Sequence, residues 1–212
     1  MCLRVEELRR MEWSRVERAI WIAFFILVIV LSLAAVRFPY FPGDVTFARL
    51  LQSVAPGSKK WAEWVTSTAK TPWSLVLLAA SVLFSWAVAR WRAALLAVAS
   101  FLLAWALGIW LNPLVARPRP TPELIRVVGS PSGYSFPSAF ALTYAATLGF
   151  LAVLAALKCR GGPRWAALVT CSALLAIGGW ARIALGAHWP SDILISYLMG
   201  ILWSVLLLRF VK

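Results

Sequence analysis

The sequence predicts an all-α, polytopic membrane protein, and two observations carry that prediction. The 212-residue chain is 62% hydrophobic and 14% charged, with 13 tryptophans, too apolar for a soluble domain of this length. Its apolar residues also gather in six runs of about twenty, the length at which a helix crosses a hydrocarbon core with its backbone hydrogen bonds satisfied internally. A bundle of six transmembrane helices follows, with residues 1–212 read as one membrane-embedded domain.

The first run, Ala19 to Val36, follows a long charged leader with four glutamates and lacks a small-residue cleavage site, so it reads as a retained span. The next segment, Arg37 to Thr71, mixes Pro, Gly, Lys, Trp61 and Trp64, which suits one or two short helices in the outer interface. Its tryptophans fit either an aromatic belt or the border of a lateral entrance for a lipid. Pro72 to Ala89 and Ala93 to Leu111 form the second and third spans, joined by a turn at Arg90, Trp91 and Arg92. The fourth runs from Pro137 to Leu157, where Ser135 or Phe136 can cap the helix and Pro137 can occupy its first position. Trp165 to Leu185 and Pro190 to Leu208 complete the set.

Six crossings place both termini on one side. That side collects Arg4, Arg9, Arg10, Arg15 and Arg18, the Arg90–Arg92 turn, the Lys158 to Arg164 loop, and Arg209 and Lys212, which makes it cytoplasmic by the positive-inside rule. The net charge of +13 is thereby read as a topology signal and an attraction for anionic lipid, with nothing resembling a nucleic-acid module. Cys2, Cys159 and Cys171 fall on the cytoplasmic side or within a span, so no disulfide framework is expected.

The opposite, periplasmic or exterior face gathers the chemistry. The only histidine lies in Arg182-Ile-Ala-Leu-Gly-Ala-His188-Trp-Pro-Ser-Asp192, between two apolar runs, and ionisable groups at such a position mark a site because the bilayer penalises them. The loop Asn112-Pro-Leu-Val-Ala-Arg117-Pro-Arg119-Pro120 brings arginines to the same face, where few are expected, and its prolines keep it extended. A guanidinium forks onto phosphate oxygens, so Arg119 and Arg182 can hold one phosphoryl group. Arg117 and Arg126 read as interfacial or lipid-facing charges. Ser135-Phe136-Pro137-Ser138-Ala139-Phe140 adds a helix N-terminus, whose free N–H groups suit an anion, and the Ser138 hydroxyl.

These three segments resemble the type-2 phosphatidic acid phosphatase family, which includes lipid phosphate and polyprenyl diphosphate phosphatases. The family's signature is Lys-x6-Arg-Pro, Pro-Ser-Gly-His and Ser-Arg-x5-His-x3-Asp. Here the motifs align as Asn112-x6-Arg119-Pro120, Pro137-Ser138-Ala139-Phe140 and Ala181-Arg182-x5-His188-x3-Asp192. The resemblance implies that His188 attacks phosphorus to form a phosphohistidine while Asp192 orients its imidazole. It implies further that Arg119, Arg182, Ser138 and Asn112 bind the phosphoryl oxygens, without metal or other cofactor.

Four positions depart from the signature. Ala139 replaces glycine, Ala181 replaces serine, and Asn112 replaces a phosphate-binding lysine while keeping hydrogen-bonding capacity. The largest change is Phe140, which stands where the family carries its proton-donating histidine. Tyr134 is a candidate substitute donor. A lipid monophosphate must expel an alkoxide, whose conjugate acid is about as weak as water, whereas a diphosphate expels a phosphate monoester with a second pKa of roughly 6. The expected function is hydrolysis or transfer of phosphate from a phosphorylated membrane lipid, with polyprenyl diphosphate preferred. The alternative is a catalytically silent relative that binds or moves such a lipid or serves as a partner subunit. Retention of both His188 and Asp192 favours the enzyme.

Overall fold

A computed structural model describes residues 14–209, whose regular structure is helical, with no strand among them. Cys2, Arg4, Arg9, Arg10 and Lys212 lie outside the described residues; Cys159 and Cys171 are both buried.

Helix α1 (Arg15–Arg37) starts at a capping box in which the Ser14 hydroxyl accepts from the Glu17 N–H and the Glu17 carboxylate accepts from the Ser14 N–H, each at 3.0 Å. It is the most peripheral long helix and docks on α7 through the Trp21 indole, which donates to the Leu202 carbonyl at 3.1 Å. Two short helices follow, α2 (Asp44–Ser53) and α3 (Lys60–Ser67), in the segment expected to hold them. Both pack on the C-terminal half of α6. Buried Gln52 donates to the carbonyls of Arg126 and Ile183, and Ala62 sits among Ala181, Ala184 and Leu185.

The second and third apolar runs lie in α4 (Trp73–Val115), two helical stretches joined across a break at Ala89 and Arg90, where Arg90 has φ 64° and ψ −169°. The break falls at the start of the expected Arg90–Arg92 turn and takes two residues outside helical geometry, with Trp91 and Arg92 already helical. At its C-terminus, Ala116 takes the left-handed conformation and returns its N–H to the Asn112 carbonyl at 3.0 Å, after which Pro118 prevents continuation.

Helix α5 (Ala139–Lys158) is the central and most buried span, packed by α4, α6 (Gly161–Ala184) and α7 (Pro190–Leu208). Its cap is Ser138, whose hydroxyl accepts from the Ala141 N–H at 3.3 Å, three residues later than the sequence predicted. The physical reason is that Ser135 and Phe136 are already engaged by neighbouring segments. A single π turn at Ala145–Gly149 faces α7, where a Cβ on Gly200 would overlap Ala145. Small residues here let two backbones approach closely, the usual means of packing helices where lipid supplies no hydrophobic drive.

Five helices, α1, α4, α5, α6 and α7, are long and apolar enough to cross a membrane. Their outer faces carry exposed Leu83, Trp110, Leu114, Val169 and Leu194, the surface a bilayer solvates.

Candidate active site

The loop between α6 and α7 carries His188, and its path is fixed by Gly186. That residue has φ +65°, and any side chain there would collide with the Arg126 carbonyl, so the turn requires glycine. The Val128 N–H donates to the Leu185 carbonyl at 2.9 Å and ties the loop to the segment after α4.

His188 is 3% exposed. Its Nδ1 donates to the Ser135 carbonyl at 2.7 Å, which turns the Nε2 lone pair toward Arg119, whose Nη1 donates to it at 3.4 Å. Burial, then the positive charges of Arg182 and Arg119, hold its pKa well below the usual 6.5, against a smaller opposing effect of the Ser135 hydrogen bond. The ring is a neutral imidazole with a defined tautomer.

Arg119 reaches it from the extended segment after α4. Its Nε and Nη2 donate to the Ser132 carbonyl at 3.1 and 2.8 Å, Nε also to Gly133 at 3.1 Å, and Nη1 to the Ala187 carbonyl beside the histidine. Arg182 approaches from the last turn of α6. Its guanidinium lies 5.7 Å from the centre of the Phe140 ring, and its Nε is buried without a hydrogen-bond acceptor. Phe140, buried at the start of α5, is thus an aromatic platform for Arg182 and stacks on Tyr144 at 4.2 Å.

Asp192 does not touch the histidine. Its Oδ1 accepts from Arg117 Nη1, and its Oδ2 accepts from the Ser135 hydroxyl and from the Trp189 N–H at 3.1 Å. The expected direct orientation of the imidazole by Asp192 is replaced by a relay, in which Asp192 fixes Ser135 and the Ser135 carbonyl fixes His188. Both carboxylate oxygens are engaged by Arg117, Ser135 and Trp189, which hold the carboxylate away from the ring.

Arg117 corrects the sequence reading most sharply. Expected at the interface or facing lipid, it is 1% exposed and pairs with Asp192 and with Asp44, the latter at 3.2 Å. A buried guanidinium needs carboxylate partners, and two are supplied. Arg126 is exposed as expected, with its backbone held by Gln52.

Asn112 and Ser138 both hold backbone groups at the start of α5. The Asn112 amide donates to the carbonyls of Tyr134 and Phe136 at 3.1 and 3.3 Å and accepts from the Tyr134 N–H at 3.4 Å, clasping the loop that precedes α5. Ser138 is fully buried; its hydroxyl caps α5, and its N–H donates to the Ser196 hydroxyl at 3.0 Å. Tyr134 is 42% exposed, at the rim of the loop. Sequence reading missed Arg117, Ser135 and Asp44. The one signal for Asp44 is a carboxylate directly after Gly43 in a segment otherwise rich in cations.

A sequence model of the PAP2 superfamily matches residues 93–212, more than half of the chain. The fold is similar to the crystal structure of the first transmembrane PAP2 type phosphatidylglycerolphosphate phosphatase from Bacillus subtilis, with a TM-score of 0.68 and 18% sequence identity, over 88% of this chain and 93% of that chain. No curated protein sequence matches.

Proposed function

The chain belongs to the PAP2 superfamily, and from that premise we propose that it is a membrane phosphatase that hydrolyses a phosphorylated lipid through His188. The observation that carries this reading is the histidine itself: a buried, neutral ring whose Nδ1 proton is committed to Ser135 and whose Nε2 lone pair faces Arg119 at 3.4 Å, with the Arg182 charge also acting on the ring. A nucleophile needs that lone pair, and a phosphoryl group needs those cations.

In the proposed reaction, Nε2 attacks phosphorus and the bond from phosphorus to the leaving oxygen breaks. The electron pair departs with the leaving group, and the imidazole becomes a phosphohistidine whose proton stays on Nδ1, hydrogen-bonded to the Ser135 carbonyl. Arg119 and Arg182 neutralise the equatorial oxygens, where transition-state charge is spread. Water then attacks the phosphohistidine, which releases phosphate and restores the neutral ring. Arg182 has a buried N–H without a partner to offer an oxygen. Arg119 and Asn112 bond backbone carbonyls and Ser138 accepts from a backbone N–H, so each would share or exchange those partners to bind a phosphoryl oxygen.

Phe140 selects the substrate. It supplies no proton, so leaving groups that depart as stable anions are favoured, and a polyprenyl diphosphate or another phosphoanhydride is preferred over phosphatidic acid.

We also read α4 as two crossings, which makes six. Leu77 near its start packs with the Phe140, Tyr144 and Leu148 cluster, and Gly108 near its end lies beside Ala139 and Leu142, whereas Ala93 and Ala97 pack with Phe150 and Leu154 farther along α5. Both ends of α4 thus approach the first half of α5. A straight helix of 43 residues would be about 65 Å long, twice a hydrocarbon core, and the break at Ala89–Arg90 supports a return. Glu17 and Arg209 lie 3.8 Å apart, which sets the start of α1 and the end of α7 at one level. The arginine-rich end carrying Arg15, Arg18, Arg90 and Arg92 is then cytoplasmic, and His188 faces the periplasm or exterior. Helices α2 and α3 lie at that outer interface.

The test is phosphate release by the purified protein in detergent, with a polyprenyl diphosphate and phosphatidic acid as substrates and His188→Ala as control. Turnover of the diphosphate, lost in the variant, together with phosphoprotein trapped by alkaline quench, is the expected result. Equal turnover of phosphatidic acid would overturn the leaving-group argument. Lipid binding without turnover would favour the silent relative, a reading to which the Phe140 platform beneath Arg182 lends its own support.

A further inference from the structure

Behind the histidine lies a chain of buried charges that the phosphoryl chemistry does not use. Arg117 Nε donates to the Phe38 carbonyl at 3.1 Å, Nη1 to the Ser191 hydroxyl at 3.0 Å and to Asp192, and Nη2 to Asp44 at 3.2 Å. Asp44, the first residue of α2, also accepts from the Ser191 N–H at 2.9 Å, the Ser191 hydroxyl at 2.7 Å and the Phe41 N–H at 2.8 Å. The Arg117 carbonyl in turn accepts from the Ser135 N–H at 2.8 Å. Ser135 is therefore held at three atoms: its N–H by the Arg117 backbone, its hydroxyl by Asp192, and its carbonyl by the histidine.

We propose that Arg117, locked by Asp44 of α2, is the positioning residue that fixes the tautomer and placement of His188, acting through Asp192 and Ser135. This rests on the reading of His188 as nucleophile. It extends the site beyond residues 93–212, the part matched by the family, to a carboxylate in the segment that precedes α4.

Geometry and charge balance both argue for a role beyond packing. Among the described residues the Arg117 guanidinium is the cation that pairs with Asp192, so it fixes that carboxylate and balances its charge. Without it, Asp192 would face Arg119 and Arg182 alone and could pull either away from substrate. Burial and then Arg182 and Arg119 set the charge state of the ring; the charged and titratable groups packed behind them are Asp192, with Arg117 and Asp44 on its far side, and Tyr197 beside Arg182. On α5 the ring's neighbourhood presents uncharged Phe140, with Tyr144 behind it.

The chain has a single histidine, so a ¹⁵N-histidine label reports His188 alone, with or without turnover. The full-length wild type in detergent is compared with Arg117→Gln and with Asp44→Asn, which keeps the shape of Asp44. The wild type should show one tautomer, protonated at Nδ1. Loss of the Arg117 charge should mix the tautomers and raise the titration midpoint by about one unit, a tenfold gain in proton affinity. Asp44→Asn should also mix the tautomers while leaving the midpoint unraised, since it removes a negative charge. Turnover of the lipid diphosphate should fall about 10- to 100-fold through kcat, with KM little changed, the range met when outer partners of metal-bound histidines are removed. A single wild-type tautomer and midpoint in folded Arg117→Gln would overturn the proposal. Should that variant not fold, an unchanged spectrum in Asp44→Asn does the same. A wild type without turnover but with the expected spectra would sink the phosphatase reading and leave the clasp standing.

Discussion

A histidine as deeply buried as His188 stays neutral because water cannot solvate its cation and two arginines repel it. Its folded pKa lies below 6.5, so between those values the unfolded chain binds a proton that the folded protein refuses. Stability from this residue is therefore fully present above about pH 6.5 and is lost as pH falls through that range toward the folded pKa. Thermal unfolding at about pH 5 and about pH 7.5 checks this: the acid-induced drop should be smaller in His188→Asn, which has no proton to bind. The acid limb of turnover should likewise lie below the usual histidine value. Phe140 allows the complementary test. Phe140→His restores a proton donor at the start of α5 and should raise turnover of a phosphate monoester relative to a diphosphate by about 10²- to 10⁴-fold, the usual range for general acid catalysis. An unchanged ratio of the two rates would show that the acid comes from elsewhere. At this scale the sequence disclosed His188, Arg119, Arg182 and Asp192 because charged groups beside apolar spans stand out. Arg117, Ser135 and Asp44 stayed hidden because their value lies in contacts made across more than fifty positions of chain, 117 to 192, 135 to 192 and 44 to 117, and no local pattern records such pairs.

At the scale of elements, length and hydropathy located the helices well, since a bilayer imposes both. The sixth apolar run and α7 share their bounds, Pro190 to Leu208, because proline opens the helix and Asp192 bonds back to the Trp189 N–H in its first turn. Hydropathy failed where backbone geometry decides. It put the break of α4 at Arg90–Arg92, one residue late, and it carried no trace of the π turn at Ala145–Gly149. That π turn coincides with the closest approach of α5 and α7. Gly200→Ala should force Ala145 away and cost about 1–3 kcal/mol, the usual penalty for overpacking. Because a single Cβ pair carries the clash, Ala145→Gly in the same chain should recover part of the loss. Unfolding temperatures in detergent for the two single variants and the double variant measure the coupling. Additive losses would mean that α5 and α7 accommodate the change by sliding apart.

For the whole molecule, the open question of consequence is which water layer reaches His188, because a lipid phosphatase can act only on headgroups in its own leaflet. The arrangement of α4 decides it. If α4 folds back at Ala89–Arg90, then Trp91 and Arg92 lie at the same end as the α5–α6 connection near Gly162, and the loop around Ser130 lies with the histidine at the other. If α4 instead ran straight, its two ends would emerge on opposite sides, and Leu77 and Gly108 could not both approach the first half of α5. Single cysteines at positions 92, 130 and 162, in a chain whose Cys2, Cys159 and Cys171 are replaced by alanine, separate the two arrangements. All three positions are exposed, so a membrane-impermeant maleimide reads sidedness and not burial. Arginine-rich ends are retained in the cytoplasm, so intact cells should label Ser130→Cys and spare Arg92→Cys and Gly162→Cys until the membrane is opened. Labelling of position 92 together with 130 would exclude the return at Ala89–Arg90. Labelling of 92 and 162 without 130 would keep the six crossings but invert them, and the phosphoryl groups within reach of Arg119 and Arg182 would then belong to cytoplasmic-leaflet lipids.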